Sequence, residues 1–159
     1  MSFASVARGL VEADVKFVLV GGLAARALGS SRLTDDFDIC YDPTPENRER
    51  LATLLVGWRA YLRGAEPGLP FVMDARTLTN APILTLTTTE GLLDIMPDVV
   101  GVGDWQAVLA ASEPTEAFGV QLRVLSLIAL IAVKRTIRRP KDLSQLPELE
   151  AMLALRNKR

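Results

Sequence analysis

The sequence predicts an α+β fold, a mixed sheet flanked by helices with a short helical extension at the C-terminus. Three observations predict it. Helical and β-rich runs alternate through the first sixty residues, two β-rich runs then follow one another across a short turn, and helical patterning closes the chain from Ser126 onward. Adjacent strands without an intervening helix argue against a doubly wound parallel sheet, whose strands need crossover helices. With 159 residues, 49% of them hydrophobic, the chain can bury one core. The expectation is a single compact unit in which residues 1–125 form the core and residues 126–159 complete its cleft.

The elements follow in order. Phe3, Val6, Ala7, Leu10 and Val11 have helical spacing, predicting a helix over 3–13, and Lys16 to Val20 reads as the first strand. Gly21-Gly22 is a turn, and Leu23 to Leu28 a short apolar helix. Phe37 to Tyr41 is the second strand. Thr44 as N-cap and Pro45 at the first helical position open a helix to about Trp58. Gly64 to Pro70 is a loop. Ile83 to Thr88 and Gly91 to Met96 read as a hairpin. A short helix over Asp104 to Ala111 precedes a strand at Val120 to Val124. Ser126 caps a helix reaching Arg138, Pro140 interrupts it, and a last helix covers Leu146 to Arg156.

Composition excludes several chemistries. There is no histidine, and Cys40 is the single cysteine, so an internal disulfide and a Cys/His zinc site are both ruled out. Catalysis would have to run on carboxylates, lysine, arginine or a metal ion. No run approaches the roughly 20 apolar residues of a membrane span, and the first residues lack a basic-then-apolar signal pattern, so no membrane association and a cytoplasmic location are expected. Net charge is −1 but unevenly spread: residues 134–159 carry +5 and residues 1–133 carry −6. An acidic body with a basic tail suits a nucleotide or nucleic-acid substrate, while the extreme terminus from Arg156 reads equally as a solvated helix end.

The chemistry concentrates after the glycine turn. In the run Ser31-Arg32-Leu33-Thr34-Asp35-Asp36-Phe37-Asp38-Ile39, strand alternation puts Asp36, Asp38 and Cys40 on one face and Phe37, Ile39 and Tyr41 on the other. Two carboxylates side by side in an apolar strand are costly unless a cation or ligand compensates them. Mg²⁺, or Mn²⁺, answers this, since such ions take oxygen ligands from one or two carboxylates and complete the shell with substrate phosphates. The strand–glycine–helix unit ahead of them reads as a phosphate cradle. Asp35 falls on the opposite face as a solvated neighbour. Asp94 is an isolated acid among Leu92, Leu93, Ile95 and Met96. Lys134 ends an apolar helix, sharing a face with Leu127, Leu130 and Ile131, where it either snorkels to solvent or meets an anion in a cleft. Arg32 and Thr34 read as nucleotide contacts or as local turn-capping groups. Arg26 reads as solvated, and Trp58 and Trp105 as core or edge residues.

Gly21-Gly22, the Asp36-x-Asp38 strand and the distant Asp94 together resemble the polymerase-β-like nucleotidyltransferase superfamily. That resemblance implies its fold, an NTP substrate, Mg²⁺ held by Asp36 and Asp38, and Asp94 as the third carboxylate that serves the attacking hydroxyl. The likeness narrows over residues 17–146. Gly21-Gly22, Arg32-Leu33-Thr34-Asp35-Asp36-Phe37-Asp38, Lys134 and Lys141-Asp142-Leu143 look like the AbiEii-type branch that includes the MenT toxins. Carried over, Thr34, Asp36, Asp38, Lys134 and Asp142 match its functional residues. Lys134 would bind triphosphate, and Asp142 would orient it or help deprotonate the acceptor. Gln145 stands where the branch has a second Asp, and branch members often have a larger helical C-terminal region. The resemblance implies a toxin of a toxin–antitoxin system that transfers NMP to RNA, with tRNA as the specific acceptor and a cognate antitoxin as partner. Its rivals are an aminoglycoside nucleotidyltransferase and a nucleotidyltransferase-fold antitoxin or binding module acting on a partner protein.

Overall fold

In the computed structural model, which describes residues 2–66 and 68–158, helices surround one seven-stranded mixed sheet. Met1, Pro67 within the sequence-read loop and Arg159 at the basic terminus lie outside the described residues. The elements are α1 (Phe3–Glu12), β1 (Phe17–Val20), α2 (Gly21–Ala27), β2 (Asp36–Tyr41), α3 (Pro45–Gly57), β3 (Tyr61–Leu62), α4 (Ala75–Asn80), β4 (Leu84–Thr87), β5 (Leu92–Met96), α5 (Trp105–Ala110), β6 (Ser112–Ala117), β7 (Val120–Leu125), α6 (Leu127–Ile137) and α7 (Pro140–Asn157). Strand order is β3-β4-β5-β2-β1-β7-β6. β2 with β5 and β1 with β7 are parallel, and the other neighbours antiparallel. This is the expected α+β class.

The central strands β1 and β2 run through the middle of the core. Every residue of β1 is buried, as are Phe37, Ile39, Cys40 and Tyr41 of β2, so these strands lie between covered faces. Phe37 meets Phe3 of α1 and Phe118 of the β6–β7 turn in a cluster with ring centroids 6.0–6.4 Å apart. That cluster occupies the side of β2 opposite Asp36 and Asp38, so the apolar alternates anchor the strand while the acids face the other way. Trp58 and Trp105 are core residues. Cys40 is fully buried, and burial pushes its thiol up to about 12, which leaves it chemically quiet.

The C-terminal helices form a smaller apolar cluster of Leu127, Ile131 and Leu149, packed on Ala25 and Leu28 of the α2 segment. Ser126 caps α6 by accepting from the Ala129 N–H (3.2 Å). The last helix departs from expectation: it starts at Pro140, in the first turn where proline is tolerated, and runs through Pro147. Thr44 stands at the N-cap of α3 without a side-chain cap, and Asp42 instead accepts from its N–H (3.0 Å). β3, α4 and β6 are elements the sequence reading lacks.

Candidate metal and phosphate site

Sheet register assembles the acids. Asp38 is the direct parallel partner of Asp94, and Asp36 that of Leu92, one step away on the same face. One carboxylate oxygen from each of Asp36, Asp38 and Asp94 lies within 4.8 Å of the others. Asp38 Oδ1 is buried with no hydrogen-bond partner, a costly state for a carboxylate. Burial first, then the charges of Asp94 and Asp36, raise the Asp38 carboxyl to about 7. Asp94 is raised as well, by burial, with the Arg63 guanidinium pulling it down. Orphaned oxygens on converging carboxylates are the donor set that an oxygen-seeking divalent cation requires, so these three residues fit such an ion.

Gly21 sits directly against this cluster. Its φ is +71°, and a Cβ there would overlap Asp38 Oδ2, so both conformation and space require glycine. Gly22 is exposed, and a Cβ on it would make only ordinary contact with Thr34. The pair's positive-φ role thus falls on Gly21 alone. Thr34 Oγ1 accepts weakly from the Asp36 N–H (3.4 Å), closing the turn into β2. Asp35 is exposed, as is Arg26.

A cleft of about 770 Å³ brings most of the candidate residues together, while Asp94 joins Asp36 and Asp38 through the sheet register without lining it. Gly21, Gly22, Arg32, Thr34, Asp36 and Asp38 line one part, and Lys134, Arg139 and Lys141 line another. Its walls between them include Met96, Val99, Leu130 and Val133. Asp142 is not at this surface. Its carboxyl is fully buried, with Lys134 Nζ at 3.2 Å on Oδ1 and Arg139 Nε at 2.7 Å on Oδ2. It also takes the Arg139 N–H (3.0 Å) at the start of α7. The Arg139 hydrogen bond, with help from Lys134, lowers this carboxyl to about 2. So acidic a group is a poor proton acceptor and a good anchor for two cations. Asp142 thus holds Lys134 and Arg139 from behind the cleft wall.

Three participants have no counterpart in the sequence reading. Arg63 reaches Asp94 (2.8 Å) and Asp36 (3.6 Å). Asp98 lines the cleft beside Met96. Glu148 of α7 accepts from the Ser30 and Ser31 hydroxyls, and Arg32 donates to the Ser144 carbonyl (3.0 Å), so α7 is clasped to the segment after α2. None of the three carries a local signal, because each is brought in by an element distant in sequence.

No family profile and no curated protein matches this chain. Among solved structures it is similar to a candidate nucleotidyltransferase from Thermotoga maritima, at 17% identity. The match covers 100% of this chain and 97% of that one, with a TM-score of 0.49. A likeness of that degree says nothing about what this chain acts on. Among the described residues no helix is long and apolar enough to cross a membrane.

Proposed function

We propose that this protein is a metal-dependent nucleotidyltransferase that moves NMP from an NTP to an RNA acceptor. The observation that carries the reading is the single cleft that joins the Asp36–Asp38 carboxylates to Gly21 and to Lys134, Arg139 and Lys141. Carboxylates alone would repel a triphosphate, and cations alone would bind any anion. A cleft with both suits a polyphosphate that arrives with a divalent cation.

In this reading Asp36, Asp38 and Asp94 hold Mg²⁺ or Mn²⁺, which when bound would offset triphosphate charge and stabilise the entering and leaving oxygens. Gly21 keeps the backbone close to Asp38. Lys134, held by Asp142, meets the phosphates, and Arg32 and Thr34 flank them. The acceptor hydroxyl oxygen bonds to the α-phosphorus as the bond to the β-phosphate bridging oxygen breaks. Pyrophosphate leaves, and the hydroxyl proton passes to a carboxylate beside it or to solvent. Cations on α7 and its approach favour a polyanionic acceptor, and tRNA is the specific proposal, in the setting of a toxin restrained by a cognate antitoxin. An aminoglycoside, itself polycationic, would meet repulsion from that side.

The test incubates the protein with each α-labelled NTP and total RNA. A discrete tRNA-sized labelled band, one preferred nucleotide, loss of label in Lys134→Ala and weakening with salt are expected. Host growth should slow on expression and recover with Asp36→Ala. Label on an added aminoglycoside or on a partner protein would keep the transfer chemistry and overturn the RNA acceptor. No label anywhere would overturn the enzyme.

A further inference from the structure

Arg63 lies just beyond β3, at the margin of the sheet. Its N–H donates to the Thr85 carbonyl (3.0 Å), Thr85 is the partner of Asp94, and Asp94 that of Asp38. These four residues therefore form a row across the sheet, with Arg63 at its outer end. The guanidinium reaches back over the row. Nη2 is 2.8 Å from Asp94 Oδ1 and donates to the Leu86 carbonyl (2.8 Å), while Nη1 stands at a loose 3.6 Å from Asp36. The Asp94 oxygen has no aligned donor despite this contact, and Arg63 Nε is buried without a partner. The pairing balances charge but satisfies hydrogen bonding poorly.

We propose that Arg63 is a tethered counter-cation: it holds the Asp36–Asp38–Asp94 cluster together in the metal-free protein and yields its carboxylate contacts when a divalent cation enters. The inference rests on the reading of that cluster as a metal site and adds what controls its occupancy. A guanidinium and a divalent cation want the same oxygens, and their charges repel one another. The arginine can give way. Its side chain is 27% exposed, and β3 is a two-residue strand at the sheet edge. A buried structural clamp would instead show full hydrogen bonding and no route to solvent.

The two roles predict opposite effects on metal affinity, measured by Mn²⁺ titration calorimetry without nucleotide. If Arg63 competes with the metal, Arg63→Gln should bind Mn²⁺ about tenfold tighter or more, and Arg63→Lys should stay within about threefold of wild type, because charge is what opposes entry. Arg63→Gln should also melt earlier than wild type in chelator and recover more on adding Mn²⁺. A clamp that shapes the acids would lose affinity in Arg63→Gln, and equal or weaker binding overturns the proposal while leaving the metal site intact. Absence of Mn²⁺ binding in both wild type and Arg63→Gln overturns the proposal and the metal site together. Should Arg63→Gln not fold, the wild-type protein carries the test through the Arg63 side-chain N–H resonances. Faster solvent exchange of these on adding Mg²⁺ is expected, and unchanged exchange at metal saturation overturns the proposal.

Discussion

Lys134 does not stand free in the cleft: its Nζ is held 3.2 Å from Oδ1 of the wholly buried Asp142, eight residues on and in the next helix. A lysine at the end of an apolar helix would otherwise sample many rotamers. Here its position is set from behind by a carboxylate that also binds Arg139, so the cleft's cations depend on a residue that does not line it.

Asp142→Asn should therefore cost stability and cleft order together. Removing one member of a buried, hydrogen-bonded charge cluster costs about 2–4 kcal/mol. The pH dependence has a definite sign. The folded-state carboxyl is depressed to about 2, below the unfolded value of about 4, so its contribution is present above pH 4 and is lost as pH falls through 2. Denaturant unfolding of wild type and Asp142→Asn should give curves well separated at pH 7 that converge near pH 2.

Asp38 shows the opposite sign. Its folded-state carboxyl is raised to about 7, above the unfolded value of about 4, so in metal-free protein the contribution of this one group is full below pH 4 and is lost as pH rises through 7. Thermal melts in chelator should fall across that window, and Asp38→Asn should flatten the fall. Mg²⁺ should restore stability at pH 8 and do little at pH 5, where protons compete for the same oxygens.

The two glycines should separate. Gly21→Ala adds left-handed strain of about 1–2 kcal/mol and a collision with Asp38, so both melting temperature and Mg·NTP affinity should drop. Gly22→Ala should leave the melting temperature within a degree or two and affect only nucleotide binding. Matching losses in thermal stability at the two positions would refute the assignment.

Asp35→Asn and Asp38→Asn test the strand's facing. Asp35 is exposed and outside the cluster, so its loss should cost less than about tenfold in nucleotide transfer. Loss of Asp38 should cost several orders of magnitude, at about 1.4 kcal/mol of barrier per factor of ten.

Local pattern was enough to read the strand–glycine–helix unit and the facing of Asp36 and Asp38, because alternation and glycine conformation act within a few residues. It could not read the Asp38–Asp94 pairing, which exists only through the β2–β5 register. There the resemblance, not spacing, singled out Asp94. β6 escaped because Ser112-Glu113-Pro114-Thr115-Glu116-Ala117 is a polar edge strand with none of the β-branched apolar residues that mark a strand. β3 has too few residues for any periodicity. Both Pro140 and Pro147 can open a helix, and the sequence reading began it beside the second. Packing of Leu149 on Leu127 and Ile131 lets the helix start six residues sooner and absorb Pro147. Arg63 was invisible because its carboxylate partners lie two and three strands away.

The parallel pairings have a consequence in time. Val18 pairs with Arg123 and Asp38 with Asp94, so both closures wait on distant chain, and such non-local contacts form slowly. During vectorial synthesis the glycine turn and its acids emerge early, but the lysine that faces them arrives only after residue 134. The acids and the cations that share the cleft therefore meet only once α6 and α7 have docked on the sheet.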